Sequence, residues 1–230
     1  MSEQQKITTG MWSLKQRHKS PVYKRLLSLE PAAYIFILLG WLISTTNVFA
    51  ARLETNYPTD QEISALPAYC HAKLRADQKS DEAQHWKRAL GKDYIHVHHL
   101  CAARAFLMRA NRMDDNRHFY LGEAMNNLEY MITHSSPNFI LMPEILYYKA
   151  YIFYKQKKYD QAIKYAEMAI KKNKQYIRPY LLIADIYIKL NDVQNAETII
   201  TDAKAKFPKS KAIKRRIKKI RKLKKQKKTG

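Results

Sequence analysis

Residues 143–176, PEILYYKAYIFYKQKKYDQAIKYAEMAIKKNKQY, and residues 177–210, IRPYLLIADIYIKLNDVQNAETIITDAKAKFPKS, align one above the other without a gap. Ala150 falls on Ala184, Phe153 on Tyr187, Ala162 on Ala196 and Ala169 on Ala203. The polar turn Lys157-Lys158-Tyr159 falls on Asn191-Asp192-Val193. Small residues at fixed offsets let helix axes approach, and an aromatic residue fills the space left between successive pairs. Each 34-residue unit therefore reads as two antiparallel helices that cannot bury their apolar faces alone and must stack.

A period of 34 with alanines at these offsets resembles the tetratricopeptide repeat. The second unit closes with Pro208, as that family often does, whereas the first has Lys174 there; where a bulky residue is common in the second helix, the units carry Ala166 and Ile200. The expected fold is all-α: a short α-solenoid of repeat hairpins with an irregular helical amino-terminal cap and a basic carboxyl-terminal capping helix. Arg117–Ser136 reads as the second helix of a degenerate repeat, paired with a helix over 94–112. Ser80-Asp81-Glu82 starts and Gly91 stops a short helix carrying Trp86, and Leu66–Ala76 reads as another with Pro67 in its first turn. The expected organisation is 1–50 signal or anchor, 51–142 helical region, two repeats at 143–176 and 177–210, and a basic segment at 211–230.

The net charge of +22 is unevenly placed. Residues 204–230 hold 15 Lys and Arg and no acid, residues 1–30 have a net charge of +4, and the 173 residues between them only +3. The first 30 residues precede an uncharged run whose apolar part, Ala32–Ile43, has the length of a signal-peptide core and falls short of a membrane span. Small Val48 and Ala50 fit a signal-peptidase site, so cleavage is expected between Ala50 and Ala51. The alternative is an uncleaved anchor over 32–50 at the inner membrane. With positive charges before the apolar run, both readings translocate the rest of the chain and place it in the periplasm or beyond. In such an oxidising compartment Cys70 and Cys101 read as a disulfide pair.

The resemblance implies a non-catalytic scaffold that binds another protein or peptide segment in a concave groove lined by the first helix of each pair. The offsets place Tyr147, Tyr151 and Tyr154 there from the first repeat, and Leu181, Asp185 and Ile188 from the second, with Arg178 near the rim. The Lys and Asn that clamp a terminal carboxylate in the best-known groove of this family do not stand at the matching positions. Packing between neighbouring helices is the other reading of these tyrosines. His96 and His99, three apart, share a helix face; with Cys101 and with His71 as a third candidate they are the nearest approach to a metal site. No phosphate loop, nucleophile elbow or paired-carboxylate signature is present, so neither catalysis nor a cofactor is expected.

In the last segment Ile213, Ile217, Ile220 and Leu223 make one helical stripe. Lys214, Arg215, Arg216, Lys218, Lys219, Arg221, Lys222, Lys224 and Lys225 surround it as candidate contacts to an anionic surface. Nucleic acid is the default polyanion for a cytosolic protein; export makes an anionic membrane surface, lipopolysaccharide or an acidic polysaccharide the expected one.

Overall fold

Local signals set where each helix begins. Thr59 and Glu62 form a capping box: the Thr59 hydroxyl accepts from the Glu62 N–H, and the Glu62 carboxylate accepts from the Thr59 N–H at 2.9 Å. This opens α1 (Asp60–Ser64). Pro67 precedes α2 (Ala68–Leu74), and Ser80 caps α3 (Asp81–Leu90) by accepting from the Ala83 N–H. Gly91, at φ 64°, ends α3 in a region that L side chains disfavour. A 3₁₀ turn (Gly91–His96) follows, then α4 (Val97–Arg112) and α5 (Arg117–His134). The repeats contain α6 (Met142–Lys155), α7 (Tyr159–Lys172), α8 (Ile177–Lys189) and α9 (Val193–Lys206), and the chain closes with α10 (Lys211–Thr229). The computed structural model describes residues 57–112 and 115–229, and no strand occurs among them.

The helices pack as consecutive hairpins, α4 with α5, α6 with α7 and α8 with α9, and α10 lies across α9 and α8. This is a short α-solenoid with an irregular cap at one end and a basic helix at the other. The helix expected over 94–112 starts later, at Val97. The buried Asp93 carboxylate accepts from the Ser136 N–H at 3.0 Å and from its hydroxyl at 3.1 Å, which holds the preceding turn against the chain beyond α5. The expected signal or anchor, 1–50, with its Ala50/Ala51 junction, lies outside the described residues. No described helix is long and apolar enough to cross a membrane.

The alanines mark the close approaches. Ala150, Ala162, Ala169, Ala184, Ala196 and Ala203 are all fully buried, while Phe153 and Tyr187 are partly buried beside them. Phe153 stacks on Tyr165 at 5.4 Å. In the cap, Cys70 of α2 and Cys101 of α4 are joined by a disulfide, both fully buried, with Cα atoms 5.6 Å apart. Closing a loop over a sequence separation of 31 is worth about 3–4 kcal/mol in the chain-entropy account. Glu62 and Arg109 add a bidentate pair, both contacts at 2.7 Å, that ties α1 to α4. Burial pushes the Glu62 carboxyl up, but Arg109 and Thr59 outweigh it and hold the group below its ordinary range.

The two repeats match in backbone as well as side chains. Lys157 (φ 61°) and Asn191 (φ 57°), one period apart, are the non-glycine residues with positive φ among those described. At each turn the next N–H reaches back to close the helix: Lys158 to the Phe153 carbonyl and Asp192 to the Tyr187 carbonyl, both at 2.9 Å. Asparagine tolerates this conformation readily, whereas lysine adopts it at a cost of about 1 kcal/mol. Lys157→Gly is therefore expected to stabilise the protein by about 1 kcal/mol, read as a raised midpoint in urea unfolding at unchanged slope.

Candidate interaction face

Tyr147, Tyr151 and Tyr154 stand on one face of α6, spaced four and three residues apart, which brings neighbouring rings within contact range. Their centroids are 6.4 and 6.3 Å apart, and Tyr159 continues the row 6.2 Å from Tyr154. All three α6 tyrosines are partly buried, so each packs along the helices and still reaches solvent. Tyr147 is enclosed by Tyr148, Tyr151 and Tyr176. Burial pushes its hydroxyl up to about 12, and its ring meets Tyr176 edge-on at 5.6 Å. The Tyr151 hydroxyl donates to Asn111 Oδ1 at 3.0 Å.

Cations flank the row. The Arg178 guanidinium lies 5.9 Å from the Tyr147 ring and donates to the Tyr148 hydroxyl at 3.3 Å. Lys189 Nζ lies 5.6 Å from the Tyr154 ring and 5.8 Å from that of Tyr159. Behind the row a polar network joins cap to repeat: Tyr69 donates to the Glu144 carboxylate at 3.2 Å, and Arg104 pairs with that carboxylate. The Arg104 guanidinium also lies 5.2 Å from the Tyr148 ring. A cavity of about 240 Å³ opens here between cap and first repeat, with Arg104, Met108 and Asn111 on one side and Tyr147, Tyr148 and Tyr151 on the other.

The second repeat differs from expectation. Ile188 is 6% exposed and belongs to the core it shares with Ala184, Val193 and the α10 stripe, so it does not line a groove. The reason is α10, whose Ile213 and Ile220 join that core. Asp185 is paired with Arg216 of α10, and the Leu181 carbonyl accepts from Arg216 Nε at 3.3 Å. Leu181 and Asp185 thus anchor the terminal helix. Pro208 is exposed, in the turn between α9 and α10.

The same contacts correct the reading of the basic segment. Arg216 is occupied by Asp185, and Lys224 pairs with Glu197 of α9. Lys214, Arg215, Lys218, Lys219, Arg221, Lys222 and Lys225 remain exposed, while Ile213 and Ile220 are buried and Ile217 and Leu223 partly so.

The histidines of the cap are engaged locally. His99 Nδ1 is 2.8 Å from Asn127 Oδ1, and its ring centroid lies 3.8 Å from that of Tyr130. His96 Nδ1 is 3.3 Å from the Tyr130 hydroxyl, and His71 Nε2 is 3.1 Å from the Leu66 carbonyl. Cys101, bonded to Cys70, offers no thiolate. Among the described residues no three His, Cys, Asp or Glu are placed to hold a metal ion.

Several contacts had no periodic signal. Lys149, 5% exposed, pairs with Glu129 at 2.5 Å and stands 4.2 Å from the Tyr165 ring, joining three helices. The Arg104–Glu144 pair spans 40 residues and could be found only once α4 and α6 are known to touch. The Arg216–Asp185 pair ties α10 to α8 beside the docked apolar stripe. In a double-mutant cycle with Asp185→Ala and Arg216→Ala, urea unfolding is expected to give a coupling of about 0.5–1 kcal/mol, with faster amide exchange in α10 for either single variant.

The chain has no match among curated proteins. The family model of the tetratricopeptide repeat matches residues 153–218, from within α6 through α7, α8 and α9 and into α10 as far as Lys218, so this part of the chain carries tetratricopeptide repeats.

Proposed function

We propose that this chain is an exported bacterial scaffold that works near the membrane by holding another protein through the tyrosine face of its first repeat. The repeat supports the general class, since tetratricopeptide arrays are typically interaction modules with no chemistry of their own. The observation that carries the reading is the row Tyr147, Tyr151, Tyr154 and Tyr159, half-buried, prepacked and flanked by Arg178 and Lys189. Rigid aromatic rings with cations at their edges offer large contact area at little cost in conformational entropy. An extended peptide segment laid along the row would bury apolar groups on the rings and meet hydroxyls at their tips.

Export rests on two features. The basic start and the apolar run Ala32–Ile43 have the order of a translocation signal, and the buried Cys70–Cys101 bridge suits an oxidising compartment. The exposed cations of α10 favour a second contact, to the anionic face of a membrane or to an acidic polysaccharide.

Affinity capture from envelope extracts tests the scaffold reading. A partner retained by the wild-type chain should be lost with Tyr151→Ala and Tyr154→Ala together, while the thermal midpoint stays within a few degrees. Capture unchanged by that pair would overturn it. In cell fractionation the chain is expected in the envelope or periplasm with Cys70 and Cys101 oxidised; a cytosolic chain with free thiols would sink the export reading.

A further inference from the structure

The cap contains another cavity, of about 360 Å³, that shares no lining residue with the one beside the tyrosines. Three lysines line it, Lys73 from α2 and the exposed Lys87 of α3 and Lys92 of the 3₁₀ turn. None of the three forms an ion pair with a described residue. The acids of this region pair with none of the three lysines. Asp93 accepts from Ser136, Asp77 accepts from the Lys79 N–H at 3.0 Å, and Glu82 is the one carboxylate felt by the Tyr94 hydroxyl.

Beside Gln78, the lining between the lysines has an apolar part formed by Tyr94 and Ile95. Lys73 Nζ stands 4.7 Å from the centre of the Tyr94 ring, and Ile95 beside it is 62% exposed. The Tyr94 hydroxyl is buried and makes no hydrogen bond. The neighbouring Gln78 amide donates to the carbonyls of Ala72 and Ala76 at 3.0 Å and stands close enough to the hydroxyl to favour its ionised form against the effect of burial. A buried hydroxyl without a partner is uncommon in a finished fold. Like charges around a cavity without a paired carboxylate are uneconomical as well: burial and the adjacent Lys87 charge hold the Lys73 ammonium below its ordinary range. An anion placed among the three lysines relieves that repulsion, and sites with such unbalanced groups are where ligands are found.

We propose that this cavity binds a small organic anion, a carboxylate or phosphate monoester with a compact apolar group, its charge held by Lys73, Lys87 and Lys92 and its apolar part set against Tyr94 and Ile95. The site is separate from the tyrosine face and does not depend on the scaffold reading.

Phenyl phosphate, inorganic phosphate and phenol are the probes, titrated into the full-length protein while the amide resonances of Gly91, Lys92 and Ile95 are followed by NMR. Phenyl phosphate is expected to shift them saturably and to bind about ten-fold tighter than inorganic phosphate, since burying a ring adds apolar contact; phenol alone gives no saturable shift. Lys73→Met and, at an exposed position that leaves the fold intact, Lys92→Met each weaken phenyl phosphate about ten-fold. Because α10 attracts any anion, Lys218→Gln, Lys219→Gln and Lys222→Gln are combined as the control, and this triple variant leaves the affinity unchanged. Shifts that never saturate, equal affinity for phenol, no loss with Lys92→Met, or equal loss in the α10 variant would each overturn the proposal.

Discussion

Two antiparallel helices bury apolar surface only where their axes come close, and in this chain closeness is set by alanine. Ala150, Ala162, Ala169, Ala184, Ala196 and Ala203 leave no volume between backbones, so the larger side chains around them interdigitate at the density of a protein interior. A larger residue at any of these points would part the axes and strain the packing on both sides. The constraint also propagates. Each hairpin offers one face to its successor, and the last apolar face at either end must be covered by something that does not repeat. At one end the cover is the disulfide-bonded cap, whose core is continuous with α6. At the other it is α10, whose four apolar residues pack on α8 and α9.

These covers also shape the surface available for binding. On the cap side, Arg104, Glu144, Tyr69, Tyr148 and Arg178 form a connected polar network running from the cap to the second repeat. A network of this kind holds its members in place only when all are satisfied, and here each has a partner. The tyrosines in front of it are therefore fixed before any ligand arrives, which lowers the entropic cost of binding. On the carboxyl side the cover consumes the surface. Arg216 draws Asp185 and the Leu181 carbonyl into the α10 contact, leaving the first repeat as the part of the face with exposed aromatic rings.

How much of this could be read from residues alone follows from the range of the interactions. Helix bounds and turns are local: the alignment of Lys157-Lys158-Tyr159 with Asn191-Asp192-Val193 marked the two turns, while their positive φ emerged only in the structure. The alanine offsets are local in the same sense, because the period itself brings them together. Cys70 and Cys101 could be paired because two cysteines leave one choice once a disulfide is expected. Ile188 was misplaced because its aliphatic side chain joins the core that α10 closes, a contact its spacing within α8 does not reveal. Lys149, Arg104 and the cap lysines carry no periodic signal. Their environments depend on contacts between helices far apart in sequence, which no spacing rule encodes.

The basic helix is the clearest case of a residue type with two meanings. Arg216 and Lys224 pair with carboxylates of α8 and α9, Lys224 at the surface, while Lys214, Arg215, Lys218, Lys219, Arg221 and Lys222 turn outward. Outward cations four apart, such as Lys214 with Lys218 or Lys218 with Lys222, repel and disfavour the helix by a few tenths of a kcal/mol each. No acid lies anywhere in residues 204–230 to offset them. The docked stripe and the two ion pairs therefore have to hold the helix against its own surface charge. A solvating helix that served only to cover the last repeat would be more stable with mixed charges on its outer face. The outward lysines and arginines thus work against folding, and a contact with an anionic surface would reverse the sign of that effect by supplying the counter-charge the chain lacks.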